Sequence, residues 1–227
     1  MNVCVMLHGL GPPPSGRTKD EARYWVSLDQ FAQVIDLVRG TDIWITFDDG
    51  NDTDISIAFP ALQKAGLTAS FYIPSDRIGT PGYVSEADIH MLHQAGMEIG
   101  SHGCAHIRWT EISDDAIVDD VKRSTDRLGA IIGEPVSTVA VPFGECDRRV
   151  LHVLRGLGIT RVHTSFRGPD PGGQWIVRRD CITADMSDDA VRKLLTKKYS
   201  QIDAALPFLR MWRKAGRAAL WSEGPQA

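Results

Sequence analysis

The chain has 227 residues, enough for one full-sized domain and short for two. Hydrophobic residues make up 43% and charged residues 24%, which excludes a disordered chain, a collagen-like chain and a polytopic membrane protein. The formal net charge of −4 gives no global basic field of the kind that attracts nucleic acid.

The first apolar run, Val3–Leu7, predicts a strand. It leads straight into His8-Gly9 and the prolines Pro12-Pro13-Pro14, so it is too short for a secretory signal. No stretch approaches the ~18 apolar residues of a membrane span. Ser27 and Gln30 form a predicted capping box for a helix carrying Phe31, Val34, Ile35 and Val38, closed by Gly40. Ile43–Phe47 predicts a strand, and a helix follows from Asp54 to Ala65, stopped by Gly66. Thr68–Ile73 is the next strand. Ser85 caps a helix to Ala95, and Met97–Gly100 is a strand. Ser113 opens a helix through Ile117, Val121, Leu128 and Ile131–Ile132, closed by Gly133. Thr138–Val141 is a strand, Asp147–Leu157 a helix, and Arg161–Thr164 and Trp175–Val177 are strands. From Ser187 the pattern is helical almost to Trp221, with Pro207 as a break. Strand and helix alternate about seven times, with glycine after nearly every helix, which predicts βα units around a parallel sheet, either doubly wound or closed into a barrel. Both architectures place their chemistry at the C-terminal ends of strands.

Three predicted strand ends carry reactive side chains. Thr46-Phe47-Asp48-Asp49-Gly50 puts two adjacent carboxylates at a glycine turn. They are either a solvated Asp-Gly turn or a metal ligand with a neighbouring base. His102 and His106 stand at i, i+4; in one helical turn they point the same way and can share a metal, the alternative being two unrelated surface histidines. Cys104 between them then faces away and packs. Pro142-Phe143-Gly144 ends the fifth strand with a proline that forces a turn and a glycine that lets a backbone amide approach a ligand. One Asp and two His make a facial ligand set with open positions, as in catalytic rather than structural metal sites.

These motifs resemble the polysaccharide deacetylase family, the NodB-homology or carbohydrate esterase family 4 group. Thr46–Gly50 matches its first motif in full, and His102 and His106 match the histidines of its His-Ser/Thr-x-x-His motif, with Gly103 where the family has a hydroxyl that braces the loop. Pro142-Phe143-Gly144 matches its third motif, but Ala140 stands where the family has arginine. Thr164–Gly168 and the Trp175-Ile176-Val177-Arg178-Arg179 run resemble later family segments, so the likeness spans roughly residues 3–195.

The resemblance implies an α/β fold, a distorted (β/α)7-type barrel in a single domain over 1–195, followed by a helical C-terminal segment over 196–227. It implies N-deacetylation of a sugar with a divalent metal, Zn2+ by preference, on Asp49, His102 and His106. Asp48 would be the general base. Pro142, Phe143 and Gly144 would shape the oxyanion site through the Phe143 backbone N–H, with Trp175 as a further substrate contact. Arg179, or else Arg178, would supply the guanidinium missing at Ala140. No histidine follows His163, so the family's C-terminal histidine is absent; His8, at the end of the first strand, is the candidate acid or substrate contact.

The scattered cysteines Cys4, Cys104, Cys146 and Cys181 and the lack of a signal predict a cytoplasmic protein. The expected substrate is then a nucleotide-linked, lipid-linked or small-glycoside N-acetylated sugar. A hydrolase of formyl or cyclic amides on the same fold, and a sugar-binding domain without turnover, are the competing readings. Residues 189–218 carry eight Lys and Arg against two Asp. The segment is expected to close the barrel, or to lie on an anionic membrane as a basic amphipathic element, or to hold a diphosphate.

Overall fold

The computed structural model describes residues 3–166 and 175–196. Its strands are β1 (Cys4–Leu7), β2 (Gly9–Leu10), β3 (Trp25–Val26), β4 (Trp44–Asp48), β5 (Ser70–Ile73), β6 (Glu98–Ser101), β7 (Thr138–Ala140), β8 (Arg161–Thr164), β9 (Ile176–Arg178) and β10 (Asp180–Cys181). Its α-helices are α1 (Lys19–Ala22), α2 (Leu28–Val38), α3 (Phe59–Ala65), α4 (Glu86–Gln94), α5 (Asp114–Ile132), α6 (Arg148–Gly156) and α7 (Asp188–Leu195).

The main sheet runs β10-β1-β4-β5-β6-β7-β8-β9, and all its ladders are parallel. β9 pairs with β8, and β10 pairs with β1 through Val5↔Asp180 and Met6↔Cys181. β9 and β10 are therefore one run of chain that changes partner at Arg179. That run is the seventh strand and nearly closes the barrel, as the (β/α)7 expectation requires. A separate parallel pair, β2 with β3, has no counterpart in the predicted elements; two residues per strand are too few for a periodic signal.

The strands divide their side chains by period two. Val5, Leu7, Ile45, Phe47, Phe71, Ile73 and Ile99 face outward into one apolar core with Phe31, Val34 and Val38 of α2, Leu62 of α3, Ile89 and Leu92 of α4 and Leu128 of α5. The alternate residues fill the barrel and are largely polar. Trp44 Nε1 donates to Ser70 Oγ, which donates to Glu98 Oε2, and Arg161 pairs with Glu98 at 3.1 Å. His163 sits between the Trp44 and Tyr72 rings, with centroids 4.8 and 4.7 Å away. Gly100 gives Tyr72 its room: a Cβ there would overlap the Tyr72 ring.

Several local expectations are corrected. Ser27 accepts from the Gln30 N–H, but the Gln30 side chain does not return the bond; it is buried and donates to the carbonyls of Thr183 and Met186, tying α2 to the chain before α7. The helix predicted from Asp54 begins as a π-helical turn over Asp54–Ala58 and becomes α3 only around Pro60, which has no N–H to continue the ladder. His102–His106 is not a helical turn but an irregular loop, with positive φ at Gly103 and His106. Among the described residues the last helix, α7, ends at Leu195 with Thr196 as its cap, and the predicted extension to Trp221, with its basic amphipathic face and Pro207, lies outside them. No helix among the described residues is long and apolar enough to cross a membrane.

His163 is fully buried and its pKa is held well below the ordinary 6.5, chiefly by desolvation, with Arg179 and Arg161 adding to the effect. Below about pH 6.5 the unfolded chain takes up a proton that the folded barrel refuses, so stability falls as pH drops. His163→Phe should remove this term, flattening the loss by about 1.4 kcal/mol per pH unit below that point. Urea unfolding of both proteins between about pH 7.5 and pH 5.5 measures it.

Candidate active site

The site lies where β1, β4, β6 and β7 end. β4 delivers Asp48 inward and fully buried, and the next residue, Asp49, turns out of the strand at φ 82°. Asp49, His102 and His106 each offer a ligand atom, all within 4.8 Å of one another. His106 Nε2 is 3.4 Å from Asp49 Oδ1. His102 Nδ1 is 2.8 Å from the Ala140 carbonyl oxygen, which can only accept. Nδ1 therefore carries the proton, and Nε2 keeps its lone pair for the cluster. Burial and the neighbouring His102 push His106 down to about 3, so it is a neutral donor near pH 7. Burial alone would raise the Asp49 carboxyl, but His8, the two cluster histidines and Arg77 hold it down at about 2. A carboxylate and two imidazoles on one side of a partly open cleft fit a divalent ion of the zinc type.

Beside this cluster, Arg179 grips Asp48 with both arms. Nη1 donates to Oδ1 at 2.6 Å and Nη2 to Oδ2 at 2.7 Å. Nη1 also meets Thr46 Oγ1, Nε donates to the Thr164 carbonyl, and the guanidinium lies over the Tyr72 ring. Burial would raise the Asp48 pKa, but the Arg179 charge outweighs it and holds the carboxylate below its usual range. The structure thus brings a guanidinium to Asp48 from the strand that closes the barrel, while at Ala140 only the backbone serves the site.

His8 stands at the end of β1, its ring 4.8 Å from Tyr24 and its Nδ1 4.0 Å from Cys181 Sγ. Desolvation lowers its pKa against the opposing pull of Asp49 and Asp48, which places it in the field of the cluster. Phe143, at φ 59°, sets its ring 4.5 Å from His106 and under the Arg108 guanidinium. Pro142 is buried before it, and Gly144 turns at φ 67° where a Cβ would strike Ser165. Trp175 is not brought to the site. It precedes β9 at the opposite end of the barrel, donates to the Ile159 carbonyl and stacks with Arg155.

Asp49, His106 and Phe143 are the non-glycine residues with positive φ among the described residues, and all three belong to the site. Each such residue costs about 1–3 kcal/mol, held in place by its surroundings. The His102–His106 loop shows how. Gly103 has no hydroxyl, and Asp120 of α5 does the bracing. Its carboxylate accepts from the N–H groups of Cys104 and Ala105 and from Trp109 Nε1, and a Cβ on Gly103 would lie 2.5 Å from Asp120 Oδ2. Cys104 packs behind, donating to the Asp120 carbonyl and accepting from Ser75 Oγ. Sequence reasoning missed Asp120. The available signal was a carboxylate lying on the buried stripe Ile117, Asp120, Val121, Ser124 and Leu128.

A family model described as polysaccharide deacetylase matches residues 38–162, more than half of the chain, and the chain belongs to that family. It is 20% identical over 192 residues to chitin deacetylase 1 of Cryptococcus neoformans var. grubii, covering 81% of this chain and 40% of that protein. It is 22% identical over 131 residues to a poly-beta-1,6-N-acetyl-D-glucosamine N-deacetylase of Staphylococcus aureus, covering 52% of this chain and 45% of that one. The chain thus spans about half the length, or less, of these curated relatives. Among solved structures, the Streptococcus pyogenes deacetylase PplD in complex with acetate superposes with a TM-score of 0.76 at 18% identity, over 86% of this chain and 98% of that chain.

If Asp120 holds the ligand loop, Asp120→Ala should weaken zinc binding about tenfold or more, with Asp120→Asn intermediate because it keeps one acceptor oxygen. Chelator competition on the folded variants measures this.

Proposed function

We propose that the chain is a metal-dependent N-deacetylase that hydrolyses the acetamido group of an N-acetylated amino sugar. The observation that carries this is Asp48, held ionised by Arg179 beside the Asp49–His102–His106 cluster. A divalent ion held there, zinc by its donor set, would supply Lewis acidity and make water a stronger acid near neutral pH.

The chain's own residues do the rest. Asp48 accepts the proton of the attacking water; each of its oxygens keeps a lone pair beyond its bond to Arg179. Arg179 prevents Asp48 from being neutralised by burial and fixes its plane. The Phe143 N–H, in the turn between Pro142 and Gly144, donates to the oxyanion, a contribution of about 2.7–4 kcal/mol per donor in other enzymes. His8 sits on the same rim to serve the leaving amine. The names of the relatives, a chitin deacetylase and a poly-β-1,6-N-acetylglucosamine deacetylase, support an N-acetylglucosamine-type substrate. On its four scattered cysteines, with no CxxC pair, we place the protein in the cytoplasm.

Asp48→Asn should keep one equivalent of metal yet lose about 10²–10⁴ of turnover, because an amide cannot take the proton. His106→Ala should lose stoichiometric metal. Acetate release from N-acetylglucosamine oligomers, with metal analysis of the same samples, tests both. Undiminished turnover in Asp48→Asn would remove Asp48 from the mechanism.

A further inference from the structure

On one side of the site two arginines, Arg77 from the chain after β5 and Arg17 from the segment before α1, take no part in the proton transfers of the hydrolysis. Arg77 follows β5 in a short 3-10 turn, and its Nη1 donates to Asp49 Oδ1 at 2.9 Å. Its guanidinium lies over the Tyr83 ring, 5.1 Å from the centroid. Arg17 Nη2 donates to the hydroxyl of the same Tyr83 at 3.3 Å. Tyr83 is mounted on the turn that bears Asp49: it bridges Asn51, and the adjacent Val84 N–H donates to the Gly50 carbonyl. Both arginine side chains are partly open to solvent, at 27% and 30%.

The charges on this side are less well matched than those around Arg108. Opposite, Arg108 over Phe143 is answered by Glu145 and Glu111. Among the described residues Arg77 has no carboxylate but Asp49, and Arg17 none but the exposed Glu21 at 3.6 Å. Asp48 and Asp49 are already matched by Arg179 and Arg77. A divalent ion on Asp49 would leave the ion and these two ion pairs with a surplus of two positive charges, before Arg17 is counted. A neutral glycan does not answer that surplus. A phosphoester or carboxylate does, and the planar fork of arginine fits either bidentately.

We propose that Arg77 and Arg17, organised by Tyr83, form an anion subsite. The preferred substrate is then an N-acetylated sugar carrying a phosphoester or carboxylate close to the reacting amide. This rests on the deacetylase reading and narrows its substrate class.

The test compares three compounds on the zinc-loaded protein: the methyl glycoside of N-acetylglucosamine, N-acetylglucosamine 1-phosphate, and an N-acetylated hexosaminuronic acid. At least one anionic compound should exceed the neutral one about tenfold in kcat/KM, mainly through KM, and the arm that does so distinguishes phosphate from carboxylate. Arg17→Met should lower kcat/KM for that compound about tenfold more than for the neutral one, with partial recovery in Arg17→Lys. Equal use of neutral and anionic compounds, or a preference that survives both Arg17→Met and Arg77→Met, overturns the subsite. If none of the three is turned over, the deacetylase reading fails on these sugars. Equilibrium binding of the same compounds to the wild-type protein then decides the subsite separately, and equal affinities overturn it.

Discussion

The Asp48–Arg179 pair is the constraint around which the site is arranged. An arginine with no exposed surface is costly to bury, and only a bidentate partner in the right place makes it tolerable. Here that partner is the carboxylate at the end of β4, and the arginine is the residue at which the last strand leaves β8 and joins β1. The two ends of the barrel wall therefore meet through the proposed base. Removing either partner would strand a buried charge, typically at a cost of about 3–5 kcal/mol. Fold closure and the ionisation state of Asp48 depend on one contact.

Around that contact, the interior of the barrel differs from an ordinary apolar core. Thr46 and Tyr72 line the guanidinium, and His163, Trp44, Ser70 and Glu98 continue the polar column beneath. The apolar burial that stabilises the fold lies outside the barrel wall, between strands and helices. This separation lets the inner face of each strand carry function while the outer face carries stability. It also places the strained residues Asp49, His106 and Phe143 at strand ends, where loops anchored to helices hold them.

Two departures from the family motifs share one physical solution. Ala140 removes a guanidinium from β7, and Arg179 brings one from the closing strand. Gly103 removes a hydroxyl from the ligand loop, and Asp120 brings a carboxylate from α5 into the space that a side chain at 103 would occupy. In each case the group comes from a different element of the chain than the motif position would use. What matters to the site is the charge or acceptor at a point in space, and the chain can reach that point by more than one route.

The sequence by itself determined the elements that have a period. The amphipathic helices, the parallel strands, their boundaries to within a few residues and the Asp-Asp-Gly and His-x-x-x-His groups all follow from local pattern, because propensity, capping and alternation act over a few residues. It also pointed to Arg179 through the gap at Ala140. Tertiary structure alone decided the rest. The His102–His106 segment reads locally as a helical turn, yet Asp120, fourteen residues past His106, holds it as a loop. Gln30 reads as half of a capping box, yet carbonyls more than 150 residues away claim its amide. Trp175 reads as a site aromatic, yet the direction of β9 carries it to the far end of the barrel. The pairing of Arg17 and Arg77 on Tyr83 has no local signal at all. These outcomes depend on which buried donor meets which acceptor once the barrel is closed, and that choice is made by long-range geometry, which no short window of sequence contains.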